Sequence, residues 1–135
     1  MRRIALACVI LALATPSRAF AQLATTKFYN FVDTPVAVTF GSNGQAQIKL
    51  TPTAAVISVT GYRRVSVIVG STHATNLRIQ MGKIAGATLS TSLYNGPVNQ
   101  QVHTYEVIGP ELVLVLTGAP ANSTDHVQVW VYLTT

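Results

Sequence analysis

Four side chains suited to binding a ligand alternate near the end of the sequence. In the stretch HVQVWVYL (126–133), every second position holds His126, Gln128, Trp130 or Tyr132, and valine or leucine fills the positions between them. In a strand, where side chains alternate with a period of two, the polar and aromatic residues share one face and the aliphatic residues the other. We expect the aliphatic face to pack in the core. The other face is either a platform for a ligand or a surface covered by neighbouring chain.

Flat aromatic rings beside hydrogen-bonding side chains are typical of surfaces that bind sugars. A pyranose has one apolar face, which packs on an aromatic ring, and a polar rim, which needs amide, hydroxyl or charged partners. Trp130 and Tyr132 would supply the rings, and Gln128 and His126 the polar groups. These residue types favour carbohydrate as the ligand of such a platform.

Two more residues would extend this surface. His103 and Tyr105 share one parity in the preceding alternating stretch, QVHTYEVI (101–108), and would join the surface if the two strands pair in register. A structural interpretation stands beside the binding one, because Tyr and Trp favour strands and cross-strand aromatic pairs stabilise sheets by about 0.2 to 1 kcal/mol each. Trp130 would then face the core with its N–H bonded to backbone.

Catalytic chemistry has weaker support in the sequence. No Gly-x-Ser-x-Gly elbow is present, so a catalytic triad would have to be assembled across strands. A glycosidase pair would need two of the four carboxylates outside the N-terminal segment. Glu106 and Glu111 flank the bend VIGP (107–110), and we expect them to be edge or turn charges. The bases available near neutral pH are His73, His103 and His126.

No metal or cofactor site is predicted. His-x-His and His-x3-His spacings are missing, so a zinc site would need histidines from three distant segments. Asp125 ends the loop APANSTD (119–125), where a carboxylate and loop carbonyls together would suit calcium. The ordinary interpretation of Asp125 is a turn residue.

The N-terminus has the three parts of a secretory signal peptide. Arg2 and Arg3 precede an apolar run (4–14), and a polar stretch ends in Ala19-Phe20-Ala21. We expect cleavage after Ala21, so that residues 1–21 are the signal and 22–135 form a single exported domain, either periplasmic or secreted. The apolar run is too short for a permanent transmembrane helix, and the mature chain has no transmembrane segment.

Removal of that segment changes the charge and cysteine content. Three of the nine basic residues, Arg2, Arg3 and Arg18, lie in it, which leaves six basic and four acidic side chains. These six do not form the clustered stripe that binds phosphates, so nucleic acid is not an expected partner. The sole cysteine, Cys8, lies there too, and the mature chain therefore has no disulfide and no thiolate nucleophile.

The mature sequence consists of short apolar alternations separated by Gly, Pro and Asn. A hairpin is predicted where two alternating runs flank GSNG (41–44), and two strands, or one strand with a bulge at Gly61, are predicted within 56–70. Alternation also predicts strands at 77–81 and 87–93. Turns are predicted at GKIAG (82–86) and YNGPVN (94–99). The unbroken apolar run 112–116 predicts a central strand buried on both faces.

Eight to ten short strands in about 110 residues indicate an all-β fold. We predict an antiparallel β-sandwich, with a jelly roll favoured over an immunoglobulin-like arrangement. The Cys…Trp…Cys spacing of antibody-type domains is absent.

Two stretches resemble known proteins. SVTGYRRVSVIVG (58–70) resembles a strand pair of galactose-binding-like jelly rolls, and IGPELVLVLTGAPANSTDHVQVWVYL (108–133) is similar to the C-terminal half of small exported bacterial β-sandwich proteins without an assigned activity. These resemblances imply a fold and carry over no site residue.

Three functions remain open from the sequence. The first is non-catalytic binding of carbohydrate or a cell-surface glycan. The second is a structural or assembly role, as a subunit of an envelope complex or a homo-oligomer that buries the aromatic face; the sparse charge fits such an interface. The third is a hydrolase that brings a histidine within hydrogen-bonding reach of Glu106, Glu111 or Asp125.

Overall fold

The structure is a computed structural model that describes residues 26–82 and 91–135. Over these two ranges it contains no helix of the length and apolarity that crossing a membrane requires. The described residues form nine strands: β1 (Thr26–Thr39), β2 (Gln45–Gln47), β3 (Val56–Ser58), β4 (Arg64–Gly70), β5 (Asn76–Met81), β6 (Thr91–Pro97), β7 (His103–Glu106), β8 (Glu111–Thr117) and β9 (Thr124–Thr134). The predicted signal segment, 1–21, lies outside the described residues.

The nine strands form two antiparallel sheets. The front sheet has the order β1-β9-β4-β7. The back sheet has the order β2-β8-β5-β6, and β3 also pairs with β8. All strand pairs are antiparallel, as the short alternating runs predict. The all-β class predicted from the sequence is confirmed.

One hydrophobic core lies against the inner faces of both sheets. The aliphatic residues of β9 are fully buried, and they belong to the same cluster as alternate leucines of β8. Each such side chain contributes about 1.5 to 3 kcal/mol when it leaves water. The predicted core face of β9 is confirmed: its members are Val127, Val129, Val131 and Leu133.

The hairpin predicted around GSNG is wrong. β1 pairs with β9 in the front sheet, whereas β2 pairs with β8 in the back sheet. The turn is real, since the Gly41 amide donates to the Gln45 carbonyl at 2.9 Å and the Gly44 amide donates to the Gly41 carbonyl at 2.9 Å. It carries the chain from one sheet to the other. Two alternating runs on either side of a turn are compatible with a hairpin within one sheet, and equally with two strands that lie in facing sheets.

The turn predicted at YNGPVN is also misplaced, because β6 continues through Tyr94 to Pro97. Pro97 is tolerated there, since β6 lies at the edge of the sheet as far as the described residues show, and a strand at an edge does not need every N–H for pairing. The chain turns a few residues later, where Gln100 has a left-handed backbone with φ 55°. The predicted turn at 82–86 and the first part of the 87–93 strand fall largely on residues that the structure leaves undescribed.

Two other predictions agree with the structure. Residues 56–70 form two strands, β3 and β4, and Gly61 lies between them with φ 87°. The run 112–116 forms the centre of β8, which lies between β5 on one side and β2 and β3 on the other. Leu112, Leu114 and Leu116 point into the core, and on the opposite face Val115 is buried and Val113 half-buried.

Candidate ligand-binding face

The central position of β9 in the front sheet turns one row of its side chains outward. β1 pairs with one edge of β9 and β4 with the other, so neither edge is free along most of its length. His126 and Gln128 are exposed, and Trp130 and Tyr132 are half-buried. The alternation thus correctly places these four on the face opposite the valines. Their role in binding stays a prediction.

Three aromatic rings meet on this outer face. We call Phe28, Trp130 and Tyr132 the aromatic cluster. Trp130 and Tyr132 lie nearly parallel, with ring centroids 5.6 Å apart and an interplanar angle of 16°. Phe28, directly opposite Tyr132 in the β1–β9 register, stands nearly perpendicular to both, at 5.4 Å from Trp130 and 5.9 Å from Tyr132. Such edge contacts contribute about 0.5 to 1.5 kcal/mol beyond burial, so the cluster holds its rings in fixed positions.

Phe28 was missed from the sequence. It is 48% exposed, more than is usual for a phenylalanine that serves only the core. The segment TKFYNF (26–31) has aromatic residues on both faces of a strand, because Phe28 is at an even position and Tyr29 and Phe31 are at odd positions. Tyr29 and Phe31 pack against the core instead. No period-two signal within the segment could therefore show which parity faces outward.

A groove continues from Trp130 along the front sheet towards His126. It consists of two adjoining cavities of about 230 Å³ and 250 Å³, and both are lined by Gly70, Gln100 and Gln128. The first cavity ends at Trp130 and the second at His126. We call the two together the groove. Three of the four outward residues of β9 therefore line one continuous depression, and the aromatic cluster lies at one end of it.

A bulge in β1 forms one wall of the groove. Phe31 pairs with Val129 and Val36 with Val127, so four residues of β1 (32–35) face the single residue Gln128. The Gln128 Nε2 atom donates to the Val32 carbonyl at 3.4 Å. The bulge therefore rises beside β9 and its backbone helps to orient the Gln128 amide.

His103 and Tyr105 do not extend this face, which corrects the expectation from the sequence. In the β4–β7 register His103 pairs with Val67 and Tyr105 with Val65, and both valines point into the core. Residues paired across strands share a face, so His103 and Tyr105 also point inward. The alternation within a strand shows which of its residues share a face, but it does not show whether that face points into the core or to solvent. In addition, β7 lies beside β4 and not beside β9.

On the inner side, His103 meets a residue of the back sheet. Its ring centroid lies 4.1 Å from that of Tyr94 in β6, with the rings tilted by 41°. Burial lowers the pKa of His103, and burial, with a smaller contribution from Tyr94, raises the pKa of Tyr105. These residues close the gap between the two sheets at the β6 and β7 edge.

Asp125 has a structural role that the sequence did not reveal. Its carboxylate is 5% exposed and accepts hydrogen bonds from Ser71 Oγ (2.6 Å), the Thr72 amide (2.9 Å) and hydroxyl (2.8 Å), the His73 amide (3.1 Å) and the His126 amide (2.8 Å). Burial alone would raise the pKa of Asp125, but the bonds from Ser71, Thr72 and His73 outweigh it and hold the pKa well below the ordinary value.

The calcium interpretation of Asp125 does not fit this environment. Both carboxylate oxygens already accept from the protein's own hydroxyl and amide groups. Within residues 26–82 and 91–135, no group of three or more His, Cys, Asp or Glu side chains is placed to hold a metal ion. Asp125 instead fastens the β4–β5 loop to the start of β9.

Glu106 and His103, one pair considered for cross-strand hydrolysis, lie on opposite faces of the front sheet. Glu106 pairs with Arg64 and has the outward parity of β7, whereas His103 has the inward parity. Arg63, Arg64, Glu106 and Thr134 line a cavity of about 460 Å³ at the other end of β9 from the groove. That cavity carries both signs of charge, whereas none of the described residues that line the groove is Asp, Glu, Lys or Arg.

Neither a known protein family nor a curated protein matches the sequence. A solved structure that the chain resembles is "BiXyn10A CBM1 APO", a carbohydrate-binding module of a xylanase, with 15% sequence identity and a TM-score of 0.35. The match covers 84% of this chain and 93% of that chain.

Proposed function

We propose that this protein binds carbohydrate without transforming it, and that the aromatic cluster is its glycan-binding surface. One observation carries the proposal: the cluster stands half-exposed on the outer face of the front sheet and continues into a groove that is lined by amide side chains and, among the described residues, by no Asp, Glu, Lys or Arg. The rings offer apolar faces to a pyranose. The amides of Gln128 and Gln100 and the Asn30 side chain, opposite Trp130, offer donors and acceptors to its hydroxyls.

The proposed fold is a jelly-roll sandwich. If β2 and β3 are counted as one interrupted strand, eight strands are divided equally between the two sheets. Strands consecutive in sequence then lie in different sheets except for the β5–β6 hairpin, which is the order expected of two interlocked Greek keys. The shared core between the inner faces of the sheets supports the same arrangement.

The proposed location is outside the cytoplasm, in the periplasm or the medium. The basic pair Arg2-Arg3, the apolar run 4–14 and the Ala19-Phe20-Ala21 site support a signal peptide that is cleaved after Ala21. Glycans of the cell surface and the surroundings are accessible to a protein in that location.

A second candidate function is assembly through the same face. Phe28 is 48% exposed and Val32, which lines the groove with Trp130, is 41% exposed. Adjacent exposed apolar side chains are found in protein interfaces as well as in ligand sites. A homo-oligomer would bury the aromatic cluster, and the Phe28→Ala variant would then shift to a lower mass in light scattering. A wild-type protein that stays monomeric at high concentration contradicts this candidate.

Retention on insoluble polysaccharides tests the binding proposal. The wild-type protein, purified from residue 22 onward, is mixed with cellulose, xylan, mannan and chitin, and the bound fraction is measured. We expect the wild-type protein to be retained on at least one of them. We expect the affinity of Trp130→Ala and of Tyr132→Ala for that polysaccharide to be lower by about tenfold or more. Ile108→Ala is the matched control, because Ile108 is 57% exposed and lies outside the front sheet's outer face. Variants retained as well as wild type would overturn the proposal.

A further inference from the structure

The floor of the groove includes Gly70, a residue without a side chain. Gly70 lies opposite Gln128 in the β4–β9 register, and both cavities of the groove reach it. A Cβ atom at this position would lie 3.1 Å from Gln100 Nε2 and 3.4 Å from Gln100 Cγ. The Gln100 side chain therefore lies directly over Gly70, and a larger side chain at residue 70 would fill the floor of the groove.

Gln100 is held over this floor at a conformational cost. Its φ of 55° lies in the left-handed region, which is unfavourable for a residue with a Cβ atom. The turn around it is fixed on both sides, because Asn99 Oδ1 accepts from the Gln101 amide at 3.1 Å and the Val98 amide donates to the Thr75 carbonyl at 3.0 Å. A glycine would adopt this backbone conformation without strain, so the turn alone does not explain why residue 100 is a glutamine.

The groove lining selects a class of ligand by its chemistry. Its polar groups are the amides of Gln100 and Gln128, the hydroxyl-bearing residues Ser71 and Thr72, and the exposed His126. The amides both donate and accept, which matches the hydroxyl groups of a sugar, whereas the Ser71 and Thr72 hydroxyls already donate to Asp125. Among residues 26–82 and 91–135, no lysine or arginine lines the groove to compensate the desolvation of a ligand carboxylate.

The groove and the aromatic cluster lie in line along one strand. From His126 to Tyr132, β9 advances six residues, which is about 20 Å at the ordinary rise of a strand. That length exceeds a single pyranose. A ligand lying along β9 would stack on Trp130 and Tyr132 at one end and reach the amides at the other.

We propose that the groove is a second subsite, and that the ligand is an extended chain of neutral sugars lying along β9 rather than a single sugar or an acidic polysaccharide. This inference rests on the proposed carbohydrate binding at the aromatic cluster. Gln100 and Gln128 bind the hydroxyls of the sugar units beyond the one stacked on Trp130.

Calorimetric titration with oligosaccharides of increasing length tests the inference. The probes are cello-, xylo-, manno- and chito-oligosaccharides from disaccharide to hexasaccharide, with oligogalacturonates as acidic counterparts. For at least one neutral series we expect the affinity to rise with length. An affinity that does not change with length, or tighter binding of the oligogalacturonates, overturns the inference. If the wild-type protein binds no oligosaccharide or polysaccharide, the proposed function itself fails.

Gly70→Val separates the two subsites. Valine suits a strand, and the three atoms nearest to a Cβ at residue 70 all belong to the flexible Gln100 side chain, so we expect the fold to be kept. The hexasaccharide should bind about tenfold more weakly to this variant, while the disaccharide binds as it does to wild type. Equal hexasaccharide affinity in Gly70→Val and wild type, with binding lost in Trp130→Ala, contradicts the inference and leaves the proposed function intact.

Gln100→Gly gives a second test that does not depend on filling the groove. It removes the strained backbone and the amide together, so we expect a higher Tm and a several-fold weaker hexasaccharide affinity. A purely structural role for Gln100 would not combine greater stability with weaker binding. Gln47→Ala, at an exposed position of β2 in the back sheet, is the matched control and should bind as wild type does.

Discussion

Ser71 Oγ donates a 2.6 Å hydrogen bond to Asp125 Oδ2 and accepts one of 2.9 Å from the Ala74 amide. Ser71 follows β4 directly, and Asp125 is the second residue of β9, so the contact joins two neighbouring strands of the front sheet at one end. Ser71 and Thr72 also line the groove. The buried carboxylate therefore stabilises the fold and fixes one wall of the proposed second subsite.

Loss of this carboxylate should destabilise the protein strongly. Asp125→Ala leaves the hydroxyl and amide donors of the β4–β5 loop without their acceptor, and we expect the free energy of unfolding to fall by about 3 kcal/mol. Asp33→Ala is the matched control, because Asp33 is exposed in the β1 bulge, and it should change stability by less than about 0.5 kcal/mol. Urea unfolding measures both, and similar losses in the two variants would contradict the role of Asp125.

The same carboxylate should make stability depend on acidity. The pKa of Asp125 lies below its ordinary value of 3.8 in the folded state, so on acidification the unfolded chain takes up a proton first and unfolding becomes favoured. This contribution is fully present above the unfolded pKa and is lost progressively as the pH falls below it towards the much lower folded pKa. We expect Asp125→Asn to be less stable at neutral pH and to lose less stability on acidification. A parallel decline in both proteins' urea midpoints would contradict it.

His103 should add a pH dependence in a higher range. Burial against Tyr94 lowers its pKa below the ordinary 6.5, so the unfolded chain binds a proton at a pH where the folded one does not. The contribution is present above about pH 6.5 and is lost as the pH falls through the folded pKa. His103→Phe retains a ring beside Tyr94, and we expect it to remove this part of the profile. The free energy of unfolding is measured by urea unfolding as a function of pH. If it falls below pH 6.5 as steeply in His103→Phe as in wild type, protonation of His103 does not contribute to this pH dependence.

The strands of the fold were largely predictable from local pattern, because alternation and turn residues act within a few positions. Which strands pair was not. Val38 and Phe40 alternate before GSNG and Ile48 and Leu50 after it, and all four are buried, but they lie in or beside strands of different sheets. Whether a turn returns the chain to the same sheet or crosses to the facing one depends on distant partners, here β8 and β9.

The candidate site was predictable to the same extent. The outward row of β9 follows from parity within one strand, and the structure places all four residues on one face. The other residues of the site come from other elements: Phe28 from β1, Gly70 from β4 and Gln100 from a loop. Only the pairing of the strands brings them beside β9. His103 and Tyr105 were predicted to share a face, and they do, but their pairing with the core-facing valines of β4 places that face on the inside.

The central claim is that Trp130 lies on a glycan-binding surface, and fluorescence tests it most directly because Trp130 is the single tryptophan of the chain. Its emission is measured with increasing acrylamide, alone and with a soluble form of whichever polysaccharide retains the protein. We predict that acrylamide quenches the free protein and that the glycan shifts the emission and protects Trp130 from quenching. Retention by a polysaccharide that leaves both the emission and the quenching of Trp130 unchanged would contradict the claim.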